Sequence, residues 1–210
     1  MELYYAPFST YSQKVLLALY EKELEFKRNV IMLLDKAVQK EFAQVYPLGK
    51  IPLLKKEDGS YLPESTSIVE YLEVQHGSQL IPKDLESAAL VRSIDRKMDL
   101  YLNNPTVTLL FASMKPEEEQ DKEALAKAQK HIDYSYSEMS QLLADHQWLA
   151  GDDFTMADCA AIPTLFYAQQ LYPFNDYPQI VDYYERAKQR SSYQHVLEEA
   201  LPMLEKLKMM

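Results

Sequence analysis

The first 76 residues of the chain alternate between two hydrophobic periods, while the residues after them keep to one. This break constrains the fold more than any other feature. A two-residue period marks a strand and a period of three to four marks a helix, so their alternation calls for a helix-covered sheet and the longer period alone for a bundle. Glu2-Leu3-Tyr4-Tyr5 reads as a strand that stops at Pro7, after which Tyr11, Val15 and Leu19 recur every four residues along a helix. Glu25 to Ile31 alternates as a second strand, and Asp35 to Val45 reads as a second helix. Ile51 to Lys55 and Tyr61 to Leu62 form a short hairpin about Asp58-Gly59, and a third helix runs from Ser65 to about Gln75.

The order strand, helix, strand, helix, strand, strand, helix, with a parallel crossover first and a hairpin last, is that of a thioredoxin-like sheet. Past His76, Gly77, Ser78, Pro82 and Lys83 make a polar connector, and no strand is expected beyond it. Leu90, Ile94, Met98 and Tyr101 form one helical stripe; Leu125, Ala128, Ile132 and Met139 form another, with the acidic run Glu117 to Glu119 at its start. Further helices are expected near 156–172, 178–190 and 193–207. The predicted architecture is therefore an α/β thioredoxin-like N-terminal domain over 1–76, a linker over 77–85, and an all-α C-terminal helical bundle over 86–210.

Charge narrows the range of partners. The chain of 210 residues carries a net charge of −10, which argues against a nucleic-acid surface, because phosphate binding needs clustered Lys and Arg. The excess is uneven: residues 1–80 hold nine basic and eleven acidic groups and residues 81–210 hold thirteen and twenty-one, so an anionic ligand is better received by the first part. No stretch is apolar for the length of a membrane span, and the N-terminus lacks a basic segment followed by an apolar one, which makes the cytoplasm the expected compartment and a membrane partner unexpected. One cysteine and four scattered histidines leave no basis for a disulfide or a metal site. Cys159 lies inside the apolar stretch Met156 to Phe166 and is expected to be a small buried hydrophobe.

The most specific segment is Pro47-Leu48-Gly49-Lys50-Ile51-Pro52-Leu53-Leu54, followed after the hairpin by Glu64-Ser65-Thr66-Ser67-Ile68. A cis Ile51-Pro52 bond would turn the backbone so that Ile51 offers its amide and carbonyl to a peptide ligand, in the manner of strand addition. Ser65 and Thr66 would open the third helix, whose free amides suit a carboxylate, and Glu64 beside them could hold an ammonium. An amino-acid head group would then find both of its charges matched. The bland alternative is that Pro52 merely opens a strand and Ser65 is an ordinary cap.

These two segments resemble the glutathione-binding segments of the glutathione transferase family, and the resemblance runs over nearly the whole chain. It implies that Ile51, on the cis-Pro52 loop, binds the cysteinyl backbone of glutathione, that Glu64 and Ser65 bind its γ-glutamyl end, and that Lys50 meets the glycyl carboxylate. In the helical part, Trp148 to Asp158 resembles the family's second signature, in which Thr155 and Asp158 form a capping box, a folding element and not a catalytic one.

Where a thioredoxin carries its C-x-x-C pair, this chain has Ser9-Thr10-Tyr11-Ser12, which disfavours dithiol exchange. A hydroxyl at a helix start can still donate a hydrogen bond to a bound thiolate and lower the pKa of its thiol. The resemblance points to Ser9, as in serine-class and cysteine-class transferases. Its competitor is Tyr5, because Tyr5-Ala6-Pro7 is similar to the Tyr-x-Pro of the tyrosine-class members. The plain alternative for Ser9 and Ser12 is helix capping.

The expectation for function is a bacterial-type, serine-class-like homodimeric glutathione transferase that adds glutathione, as cosubstrate, to a small hydrophobic electrophile in detoxification. The rival is a non-enzymatic protein of the same fold, similar to the stringent starvation protein that associates with RNA polymerase; peroxidase or isomerase chemistry on the same thiolate is a third possibility. Tyr101 and Tyr167 are candidates to touch an electrophile, with core packing as their alternative. Asp99 or Asp95 would reach glutathione across a dimer in some classes, but a solvated or ion-paired surface carboxylate is the expected state.

Overall fold

The computed structural model describes residues 1–208, with side chains up to Glu205. Contacts group the chain into two units, Met1–Gly77 together with the segment from Ser191 onward, and Ser78–Arg190. By packing, the last helix thus goes with the sheet, whereas the sequence reading counted it in the helical bundle over 86–210. Its period reveals an apolar face but not the surface that face meets.

The first unit holds β1 (Glu2–Tyr5), α1 (Thr10–Glu21), β2 (Lys27–Val30), α2 (Lys36–Val45), β3 (Leu53–Lys55), β4 (Tyr61–Pro63) and α3 (Ser65–His76). Its four strands lie in the order β2-β1-β3-β4, with β1 parallel to β2 and antiparallel to β3, and β3 antiparallel to β4. This is the thioredoxin-like arrangement read from the sequence. Alternation along β1 sends Leu3 and Tyr5, both fully buried, to one face and Tyr4 to the other, where its ring lies 5.8 Å from that of Phe42 on α2. The hairpin turns where expected: Gly59, at φ +82°, supplies the left-handed residue, and Ser60 N–H is held by Asp58 Oδ1 at 2.9 Å.

The second unit holds α4 (Leu85–Lys97), α5 (Asn104–Ser113), α6 (Lys122–Leu142), α7 (Met156–Leu171) and α8 (Pro178–Lys188). The first expected long helix is interrupted by a π-helical turn, Met98–Asn103, between α4 and α5. The acidic run Glu117–Glu119 forms a separate 3₁₀ turn after Pro116 and does not begin α6. Asp121 starts that helix instead, its carboxylate accepting Ala124 N–H at 3.0 Å. The last helix, α9 (Ser191–Lys208), packs on α1 in the first unit. Among the described residues no helix is long and apolar enough to cross a membrane.

Candidate functional site

The sheet register gathers most of the expected site residues at one end. Tyr4 and Pro63 both face Leu53 across the ladder, so β1 delivers the loop Ala6–Ser9, β3 receives the chain from Ile51-Pro52, and β4 delivers Glu64 at the same sheet end. The Ile51-Pro52 peptide bond is cis. Pro52 is buried, Ile51 is half-buried, and Lys50 is exposed just after Gly49, whose φ of +60° turns the loop.

Ser9 is the N-cap of α1. Its Oγ accepts the Ser12 N–H at 3.4 Å, a long bond, and its own N–H donates to Ala6 O at 3.0 Å. Because Oγ acts there as an acceptor, the hydroxyl proton is left to be donated. Two further bonds hold this loop: Ala6 N–H donates to Ser12 Oγ at 3.3 Å, and Gln13 Nε2 donates to Pro7 O at 2.6 Å. Ser12 is fully buried and Ser9 half-buried, so the nearby hydroxyls divide into a loop fastener and a group open to a ligand.

The start of α3 differs from ordinary helix starts. Glu64 occupies the cap position at φ 71°, ψ 118°, and its own side chain makes no capping hydrogen bond. A non-glycine residue held in that region costs on the order of 1–3 kcal/mol, a strain that clusters at binding sites. Ser65, the first helical residue, is 6% exposed, whereas the Glu64 side chain is exposed. The positive end of the helix dipole favours a carboxylate, and the exposed Glu64 can take an ammonium.

Tyr5 has another partner. Its phenol donates to Glu199 Oε2 on α9 at 2.5 Å, and the other carboxylate oxygen accepts from Tyr20 on α1. Burial first, and then the Glu199 carboxylate, push the Tyr5 phenol well above its ordinary range and that of Tyr20 up to about 12. Arg28 Nε stands 3.5 Å from Glu199, and these groups border a cavity of about 610 Å³ with His195 and Met203. The sequence reading missed Glu199 because its partner Tyr5 is 194 positions away.

In the second unit, Asp158 is fully buried and accepts from Thr155 N at 2.8 Å, Leu149 N at 3.0 Å, Thr155 Oγ1 at 3.1 Å and Tyr183 Oη at 3.0 Å. Burial outweighs these bonds and raises its pKa to about 6. Asp95 and Asp99 are 0% and 4% exposed, not the surface carboxylates expected, and Asp99 pairs with Arg96 at 3.1 Å. Their helix turns that stripe inward with Val91, Ile94 and Met98. Tyr101 is exposed with its ring beside His131 and Tyr134, and burial raises the pKa of the Tyr167 phenol. Cys159 is buried.

A thioredoxin-like unit with a strained helix start beside a hydroxyl-capped loop, followed by a helical unit, defines a class of thiol- and peptide-binding folds. Comparison with known proteins narrows it. Residues 3–80 match the model of the glutathione S-transferase N-terminal domain, and residues 102–190 match that of the C-terminal domain. The chain is 30% identical over 171 residues to glutathione S-transferase F10 of Arabidopsis thaliana, covering 76% of this chain and 77% of that protein. It is 28% identical over 180 residues to the maleylacetoacetate isomerase of Pseudomonas aeruginosa, covering 81% of this chain and 82% of that one. Among solved structures it is similar to a glutathione S-transferase from Methylobacillus flagellatus KT with GSH bound, at a TM-score of 0.82 and 29% identity over 93% of this chain and 98% of that one. The chain belongs to the glutathione S-transferase family, whose cosubstrate is glutathione.

Proposed function

We propose that this glutathione transferase binds glutathione with its γ-glutamyl head on Glu64 and Ser65, its cysteinyl backbone on Ile51 and Pro52, and its glycyl carboxylate toward Lys50. Ser9 donates a hydrogen bond to the sulfur, which lowers the thiol pKa so that the thiol gives up its own proton to water, and the thiolate so stabilised adds to a small hydrophobic electrophile. The observation that carries this reading is the strained Glu64, its side chain exposed and not spent on its own helix, at the sheet end where the Ser9 loop also emerges. A γ-glutamyl head supplies a carboxylate for the positive end of a helix and an ammonium for the Glu64 carboxylate.

The assignment of Ser9 over Tyr5 rests on the state of the two hydroxyls. Tyr5 already donates to Glu199, and losing that bond would leave a half-buried carboxylate oxygen without its phenol, whereas Ser9 accepts from Ser12 and keeps a proton to give. Absorbance of the bound thiolate against pH tests this. Ser9→Ala is expected to raise the thiol pKa of the binary complex and Tyr5→Phe to leave it in place; the reverse pattern would move the assignment to Tyr5.

The relatives named above are enzymes, which favours an enzyme over a non-enzymatic polymerase-associated protein. Similarity to an isomerase supports a second reading in which the same thiolate adds reversibly and is expelled. The reading also includes a cytoplasmic homodimer serving detoxification; light scattering that returns the 24.4 kDa mass of one chain at micromolar concentration would refute the dimer.

A further inference from the structure

The residues just before Lys50 border a second cavity in the first unit. It has a volume of about 390 Å³ and lies between residues 47–49 and the side of α2 that carries Lys36, Gln39, Lys40 and Ala43. Hydrogen bonds fix its walls: Gly49 N–H donates to Tyr46 O at 2.8 Å, Asp35 N–H to Met32 O at 3.0 Å, and the Gln39 side-chain amide to Leu33 O. Lys36, Lys40 and Lys50 are all exposed. Of the two acids beside the α2 lysines in sequence, Asp35 holds the Ala37 N–H at 2.7 Å as the cap of α2, and Glu41 is exposed and lies outside the lining. Leu48, 67% exposed, adds apolar surface.

We propose that this cavity is a subsite for a residue that follows glycine in a thiol peptide longer than glutathione, and that Lys36 and Lys40 make it prefer an acidic one. The proposal rests on the glutathione reading above. In that reading the peptide runs from Glu64 and Ser65 past Ile51 and ends toward Lys50, one residue short of the cavity wall at Gly49. The cavity volume falls within the range of about 300–1,000 Å³ typical of small-ligand sites. Turning the glycyl carboxylate into a peptide bond removes the charge partner of Lys50, and an acidic residue brings new carboxylates one position further on, toward Lys36 and Lys40. Exposed ion pairs are weak, each worth up to about fivefold, so two of them set a preference among peptides of about threefold to tenfold.

The test uses calorimetry on the full chain with three probes: S-methylglutathione and two S-methyl tetrapeptides that extend it after glycine, one by aspartate and one by lysine. The aspartate peptide is expected to bind within about threefold of S-methylglutathione and about threefold to tenfold more tightly than the lysine peptide. Replacing both exposed lysines, Lys36→Gln with Lys40→Gln, should bring the two tetrapeptides within about twofold of each other and leave S-methylglutathione within about twofold of its wild-type affinity. Salt at about 1 M should shrink the wild-type preference in the same way, since exposed charges are screened. An aspartate peptide bound more weakly than that, equal affinity for the two tetrapeptides, or a preference indifferent to the substitutions or to salt would overturn the proposal. Wild-type protein that binds none of the three probes rejects the glutathione reading and this proposal with it. Wild-type binding of S-methylglutathione alone rejects the subsite and leaves that reading in place.

Discussion

Two helices of this protein begin in opposite ways. At the start of α7 in the second unit, the Asp158 carboxylate is sealed from water and receives four hydrogen bonds from the chain around it. At the start of α3 in the first unit, the cap residue Glu64 makes no capping bond and is held in a left-handed conformation with its side chain exposed. The contrast separates two uses of one piece of chemistry. A carboxylate spent on its own helix start stabilises the fold, and one left in solvent beside a helix start is free to serve a ligand.

The largest effect is expected at the start of α7. Asp158→Ala strands the Leu149 and Thr155 amides and the Tyr183 hydroxyl, so urea unfolding should show a loss of about 3–5 kcal/mol. Glutathione affinity of the folded variant should be unchanged. A loss below about 1 kcal/mol, within the range of a simple exposed cap, would erase the distinction between the two helix starts.

Asp158 also gives the closed end a pH signature. Its folded-state pKa of about 6 lies above the ordinary 3.8, so between these values the folded chain holds a proton that the unfolded chain has released. Stability must therefore fall as pH rises through that window, by about 2–3 kcal/mol in all, and stay level above it. Asp158→Asn should flatten this component of the slope when unfolding is followed from pH 3.5 to 7. An unchanged slope would show that the proton belongs to another group.

At the open side the effects should appear in function. Ser9→Ala should lower conjugation turnover on the order of 10²-fold, the scale seen when one oxyanion donor is removed, while costing no more than about 1 kcal/mol of stability as a lost cap. A stability loss with turnover intact would make Ser9 a cap and nothing more.

The smallest expected effects are at Glu64. Glu64→Ala should weaken glutathione by about 1–3 kcal/mol, the loss for a charge-assisted hydrogen bond, with little change in unfolding. Glu64→Gly should weaken binding similarly but raise stability by about 1 kcal/mol, because glycine adopts φ 71° without strain. Calorimetry and denaturation on the same two variants sharpen the contrast with Asp158, where stability and not binding responds.

What could be read in the sequence was local. The strand and helix order of the first 76 residues, the Asp58-Gly59 turn and the Thr155/Asp158 start of α7 each depend on residues within a few positions of one another. The π-helical turn between α4 and α5 left no such signal, because Met98 to Asn103 continue the apolar stripe without a break. Nor did the burial of Asp95 and Asp99, since a carboxylate on a stripe reads as exposed until its helix is packed.

Pattern along the chain thus determined the thioredoxin-like and helical parts, and the motifs brought out Ser9, Pro52, Glu64 and Ser65 as candidates. Tertiary structure alone decided that Tyr5 gives its phenol to Glu199, that Lys14 lies buried against Thr66, and that α9 packs with the sheet. The physical reason is range. Periodicity and capping are interactions between near neighbours, whereas a buried hydroxyl or ammonium takes the partner that packing brings to it, here 194 and 52 positions away.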